Sequence, residues 1–157
     1  MSKDIKIKSI EDIEKLRISN LIVSETLALV GSILKPGITG IELDRKAEEF
    51  IRDNGGKPSF KGYSGYPASL CISINEAVVH GIPSKYEIKE TDIVSVDCGV
   101  YKNGFHGDSA YTFALADVNE VTMKLLRDTN YSLYLGIEKA VAGNRIGDIG
   151  PCNSGIY

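Results

Sequence analysis

Two aspartates, Asp97 and Asp108, flank a segment that reads as a β-hairpin: Val94-Ser95-Val96-Asp97-Cys98-Gly99-Val100, then Gly104-Phe105-His106-Gly107-Asp108-Ser109. The run from Ile93 to Cys98 is rich in Val and Ile, which marks a strand with an acid embedded in it. Tyr101-Lys102-Asn103-Gly104 carries turn chemistry, because Asn and Gly tolerate the positive φ that tight hairpins demand. The acids then fall on neighbouring antiparallel strands, facing each other on one side of the sheet and close enough to share a cation. Carboxylates so placed either bind a proton, since adjacent like charges raise a pKa, or hold a divalent metal, the simpler resolution. Acids beside hairpin turns also serve simply as acceptors for backbone N–H groups, and spacing alone does not choose between these uses. A second apolar strand, Ser69-Leu70-Cys71-Ile72-Ser73-Ile74, runs into Asn75-Glu76-Ala77-Val78-Val79-His80-Gly81-Ile82-Pro83, where His80 precedes a turn. A single His is ordinarily a surface or core residue; His80 with the paired acids is a candidate site.

Helices must cover the sheet that carries these residues. Ser9-Ile10-Glu11-Asp12 has the pattern of a capping box and opens an amphipathic helix to about Leu34, closed by Lys35-Pro36-Gly37. A second helix is predicted after Thr39, with Ile41, Leu43, Ala47, Phe50 and Ile51 spaced for one buried face and Asn54-Gly55-Gly56 as its end. Asp108 to Leu115 forms the outgoing arm of the hairpin, and a third helix follows from about Asn119 to Val141. Cys98 adjoins Asp97 on the strand and should point to the opposite face as core. The segment 143–150 repeats the logic of 36–41, a turn followed by an N-cap and a new helix, a faint sign of internal two-fold symmetry.

Taken together, Gly62-Tyr63-Ser64-Gly65-Tyr66-Pro67, the strand Cys71-Ile72-Ser73-Ile74-Asn75-Glu76, His80-Gly81-Ile82-Pro83, and Asp97 with Gly104-Phe105-His106-Gly107-Asp108 resemble the type I methionine aminopeptidases in order and spacing. The resemblance extends from the first helix to Gly150. It implies an α+β pita-bread fold, of which residues 1–150 are the first of two pseudo-symmetric halves around a dinuclear metal site. It implies removal of the initiator methionine from nascent polypeptide N-termini by metal-activated water. In that family the residue matching Asp97 chelates one metal and the one matching Asp108 bridges two, with a His and two Glu completing the set from the second half. The residue matching His80 hydrogen-bonds the substrate near the scissile bond, and Tyr63, Tyr66 and Cys71 match positions around the methionine pocket. The two divalent ions would be Co, Mn, Fe or Zn, because carboxylate-rich sites accept several first-row ions. The ribosome is a candidate partner, and the full-length protein is expected to be a monomer.

Composition narrows the alternatives. With 157 residues and a balanced share of apolar and charged side chains, the chain reads as globular, and a net charge of -3 with no basic patch disfavours nucleic acid. No secretory n-region opens the sequence, and no uninterrupted apolar run reads as long enough to cross a bilayer, so the expected location is cytoplasmic. Three cysteines at irregular spacing, Cys71, Cys98 and Cys152, suit reduced thiols rather than a disulfide framework or a zinc motif.

The final stretch Pro151-Cys152-Asn153-Ser154-Gly155-Ile156-Tyr157 breaks the expected helix with Pro and Gly and no apolar period. Codons permitted there, read one base later, can spell Ala-Ile-Gln-Glu-Tyr, which resembles the family's helix. Residues 151–157 are accordingly expected to be an aberrant tail produced by a frameshift. With two of five family ligands the chain alone is expected to be inactive, with an uncovered apolar edge that promotes aggregation. Two other functions fit the fold: a non-catalytic module that holds peptide N-termini, which the intact Asp97, Asp108 and His80 disfavour, and a proline-type aminopeptidase, which the tight Cys71-to-His80 segment disfavours.

Overall fold

Ser9 starts the first helix by a reciprocal capping box: its Oγ accepts from Asp12 N and the Asp12 carboxylate accepts from Ser9 N, both at 3.1 Å. In the computed structural model, which describes residues 5–150, this helix is α1, Ile10–Ile33. By length and composition α1 could cross a membrane, contrary to the sequence expectation. Its Ile22, Val23, Leu27 and Val30 instead lie buried in the core, as the inner face of a packed helix must. Thr39 opens α2, Gly40–Asp53, with the same device, its backbone N–H donating to Glu42 Oε2 at 2.9 Å. The buried face of α2 is Leu43, Ala47 and Ile51, at intervals of one helical turn. Ile41, expected on that face, is 45% exposed because it stands two positions before Leu43, on the far side of the helix.

The sheet is antiparallel and centred on β3, Ile93–Lys102. The short β1, Lys57–Pro58, pairs with β3 at Tyr101 and Val100; β2, Leu70–Ile74, pairs with it from Cys98 back to Val94. β4, Phe105–Ala114, pairs with β3 along its whole length. Asn103 and Gly104 make the two-residue turn with φ of 53° and 87°, the positive values foreseen for this hairpin. Val94, Val96, Cys98 and Val100 alternate onto the face that joins α1 and α2 in one apolar cluster with Leu70, Ile72 and Ile88. Cys98 is fully buried there, as its position beside Asp97 predicted.

The helix also fixes the hairpin directly. Ser19, fully buried in α1, places its hydroxyl 3.2 Å from Lys102 O and 3.1 Å from Phe105 O, while Asn20 Oδ1 accepts from Asp108 N at 3.3 Å. This close approach requires Gly107, where a Cβ would lie 2.6 Å from Asn20 N. Between α1 and β4, Leu27, Ala28, Tyr111 and Phe113 line a largely apolar groove of about 350 Å³. Among the described residues β4 pairs with no second strand, leaving the free edge expected from the sequence.

The described residues form two compact units that divide after residue 116. In the second, Asn119 Oδ1 caps α3, Glu120–Lys139, by accepting from Thr122 N at 2.9 Å. A 3₁₀ turn, Ile146–Asp148, follows. The expected break in the helix at 151–157 lies outside the described residues.

Candidate active site

Counted outward from the Asn103–Gly104 turn, Asp97 pairs with Ala110 and Asp108 with Gly99. The acids share one face, opposite the helices, but as diagonal neighbours rather than the directly facing pair the sequence suggested. Gly99 carries no side chain between them, and Phe60 and Ser59 occupy that space, since a Cβ at 99 would stand 2.7 Å from the Phe60 ring and 2.9 Å from Ser59 Cβ. Asp97 Oδ1 is buried without a hydrogen-bond partner. Burial first, and then the charge of Asp108, pushes the Asp97 carboxyl above the ordinary carboxylate range, while His80 opposes the shift. Asp108 is also raised by desolvation, against the pull of His106. His106 is held in turn by Ser59, whose Oγ lies 2.8 Å from its Nδ1, and by the Tyr101 ring 4.7 Å away.

His80 belongs to the segment 75–92 between β2 and β3 and has a left-handed backbone, φ 58°, unusual for a residue with a Cβ. Its neighbour Gly81 is laced to β2: Gly81 N donates to Ser73 Oγ at 3.0 Å and Gly81 O accepts from Ile72 N at 2.8 Å. The Tyr66 hydroxyl adds a donor to Gly81 O at 2.9 Å and lies 3.1 Å from Leu70 O. The strained His80 backbone is thus surrounded by fixed partners, and its imidazole interacts electrostatically with Asp97.

Cys71 sits on the same rung as Asp97, and burial, followed by the nearby acids, raises its thiol. Cys71 is therefore a neutral soft surface beside the acids and not an activated nucleophile. Tyr66 is raised as well, by desolvation and then by Cys71. The structure thus brings Tyr66, Cys71, His80, Asp97 and Asp108 to one face. Tyr63 is different: it opens a 3₁₀ turn, Tyr63–Gly65, and is 76% exposed.

The sequence profile of metallopeptidase family M24 matches residues 14–151. The chain belongs to metallopeptidase family M24. A methionine aminopeptidase of Clostridium perfringens is 52% identical over 145 residues, which cover 92% of this chain and 58% of that protein. One from Clostridium acetobutylicum is 51% identical over 146 residues, again 92% and 58%. The chain thus spans little more than half the length of these M24 relatives. Among solved structures, methionine aminopeptidase from Rickettsia prowazekii superposes with a TM-score of 0.94 at 33% identity, covering 98% of this chain and 62% of that one. A prolidase from Pyrococcus furiosus, 22% identical with a TM-score of 0.85, shares the fold. The M24 chain accordingly has the pita-bread fold that its motifs suggested.

The donor chemistry of this M24 chain fits a divalent cation. An orphaned, buried carboxylate oxygen with a second carboxylate on the same face is an arrangement that a cation resolves and that a protein alone leaves costly. Among the described residues no cluster of three or more His, Cys, Asp or Glu is placed to hold a metal, so Asp97 and Asp108 form only part of a ligand set.

Sequence reasoning missed the residues that hold the site's surroundings. Asp44 Oδ1 accepts from Ser69 N at 2.9 Å and Leu70 N at 2.7 Å, fixing the start of β2 directly before Cys71. Its signal was an acid beside Leu43, at the margin of the buried face of α2. Glu48 accepts from Lys61 at 2.6 Å and Arg52 at 2.7 Å, and these partners, Lys61 first, hold its carboxyl down at about 2. A depressed carboxylate stabilises the fold above its unfolded pKa, and that contribution disappears as pH falls from about 4.5 to about 2. Glu48→Gln is expected to lower stability by about 1 kcal/mol at pH 7, the scale of a partly exposed pair, and to leave it unchanged near pH 2. Urea denaturation at the two pH values checks this.

Proposed function

We propose that this chain supplies the first half of a methionine aminopeptidase site and acts, within the complete protein, in removal of initiator methionine from nascent polypeptides. The observation that carries the reading is the unpartnered buried oxygen of Asp97 beside Asp108, His80 and Cys71. Asp97 and Asp108 would hold the first-row divalent ions, Co, Mn, Fe or Zn, with the remaining ligands supplied from outside the described residues. Such ions supply Lewis acidity and lower the pKa of water at the scissile bond.

The chain's own residues then divide the work. His80 donates a hydrogen bond to the peptide near that bond from a backbone locked in position by Gly81. Tyr66 and the neutral Cys71 offer an aromatic edge and a soft sulfur to a thioether side chain. Tyr63 contributes at the rim. The cytoplasm, where nascent chains emerge, is the matching location. Residues 151–157 are, on this proposal, an aberrant tail produced by a frameshift, and sequencing the locus tests it: a shifted frame lacking a His and two Glu ligands downstream contradicts it.

Relatives above 50% identity that bear the aminopeptidase name favour methionine over the proline-type reading, whose structures match at 22% or less. With two carboxylates and no cluster of three or more His, Cys, Asp or Glu placed for a metal among the described residues, the 157 residues alone are expected to release no methionine from a Met-Ala-Ser peptide with added cobalt or manganese. Methionine release by this chain, measured by amino-acid analysis, contradicts the expectation.

A further inference from the structure

The segment 75–92 joins β2 to β3 without forming a helix or strand, yet it must present His80 at one place. An irregular segment of this kind is ordinarily among the least stable parts of a protein unless its ends and middle are tied down. Gly81 ties the middle. The ends meet at Asp92, the last residue of the segment, which is 2% exposed and directly precedes the strand that carries Asp97.

The Asp92 carboxylate accepts three hydrogen bonds, each from a different part of the segment. Asn75 Nδ2 donates to Oδ1 at 2.9 Å; Lys89 N and the Tyr86 hydroxyl donate to Oδ2 at 2.8 and 3.0 Å. Asn75 is the first residue beyond β2 and has a left-handed backbone, φ 54°. Its Oδ1 accepts from Ile93 N and its own N donates to Ile93 O, both at 3.1 Å. The two residues therefore close the neck of the segment on both strands, with charge-assisted bonds that exceed neutral ones in strength. Among the hydrogen bonds of the described residues, those of the Asp92 carboxylate go to Asn75, Tyr86 and Lys89 rather than to His80.

We propose that Asp92 is a positioning residue, which with Asn75 closes the 75–92 segment and thereby sets His80 beside Asp97. The proposal rests on the reading of His80 as a substrate-binding group, but its test is read without any catalytic activity. The chain has two histidines, and His106, held on β4 by Ser59 and Tyr101, serves as the internal control.

Asp92→Asn exchanges one carboxylate oxygen for an amide that faces donors, against either Asn75 Nδ2 or the Lys89 and Tyr86 donors. In NMR of the 157-residue chain, the His80 Cε1–H signal is expected to move away from its wild-type position as the ring leaves its place beside Asp97. Exchange of the Gly81 amide should accelerate at least tenfold, and the His106 signal should stay in place. The double variant N75D/D92N exchanges the partners: the carboxylate at 75 accepts from Ile93 N and from the amide at 92, whose oxygen accepts from Lys89 N and Tyr86. That variant is expected to return His80 to its wild-type signal. If Asp92→Asn fails to fold, the double variant decides alone. A wild-type His80 signal in Asp92→Asn, movement of both histidines together in it, or a double variant that is unfolded or leaves His80 displaced overturns the proposal. Failure of methionine release with a restored His80 signal would count against the functional reading and leave this positioning intact.

Discussion

Gly81→Ala is expected to destabilise the chain by about 3 kcal/mol, a fall of roughly 10 °C in Tm. A Cβ at 81 would press on the Ile72 carbonyl oxygen and stand 2.8 Å from its carbonyl carbon and 2.9 Å from Ser73 Cα. These are backbone atoms of a strand paired with β3, so no side-chain rotation relieves the overlap. The segment must lift from β2 instead, which breaks the bonds of Gly81 to Ile72 N and Ser73 Oγ and leaves the Tyr66 hydroxyl with Leu70 O alone. His80 moves with it. Gly147→Ala is the matched control, because a Cβ there meets nothing within 4 Å and the backbone requires no positive φ. Calorimetric melting of the two variants checks the contrast: equal Tm values would show that the segment is not seated on the strand as described.

Asp97→Asn is expected to change sign according to whether a divalent ion is present. Without metal, wild type keeps a buried carboxylate oxygen with no partner, close to a second acid, and the substitution removes that charge. A gain of about 1 kcal/mol at pH 7 follows, because an unpaired buried charge is a burden that a neutral amide lightens. The sign follows from the raised carboxyl: protonation favours the folded form, so the burden is absent below the unfolded pKa of about 3.8 and grows as pH rises through the folded value. The gain should therefore vanish near pH 3. With metal at a hundredfold excess over its dissociation constant, wild type should gain about 2.7 kcal/mol that Asp97→Asn does not. Thermal melts with and without manganese measure both arms. A metal-free loss of stability in Asp97→Asn would mean that the Cys98 N–H bond to the carboxylate outweighs the cost of its unpartnered Oδ1.

The elements of this fold were legible where local chemistry is strong. Ser9 with Asp12, and Asn103 with Gly104, each specify their backbone within four residues, and both formed as read. The acid pair was legible as two carboxylates on one face, because the period of a strand and a two-residue turn determine which side each points to. Their diagonal offset was present in the same numbers: counting outward from the turn places Ala110, not Asp108, opposite Asp97. Ile41 was misplaced because its apolar character was read without the helical angle that separates it from Leu43. Other features depended on distant partners that no local pattern announces. The two-residue strand Lys57–Pro58 exists only through its pairing with Val100 and Tyr101. The left-handed backbone of His80, and the roles of Asp44 and Asp92, follow from hydrogen bonds that connect separate segments. Gly81 reads as a turn residue, while its actual duty, like that of Gly107, is to let another backbone come close.

The central claim is that Asp97 and Asp108 are the first-half ligands of a methionine aminopeptidase site. Its most direct test joins residues 1–150 to the remaining portion of the Clostridium perfringens relative and measures methionine release from Met-Ala-Ser with cobalt or manganese. The chimera is expected to release methionine, and Asp97→Asn or Asp108→Asn within it to reduce kcat by about 1,000-fold or more, several kcal/mol of transition-state stabilisation. A folded chimera that releases no methionine while the intact relative does, or one whose activity survives loss of either aspartate, contradicts the claim.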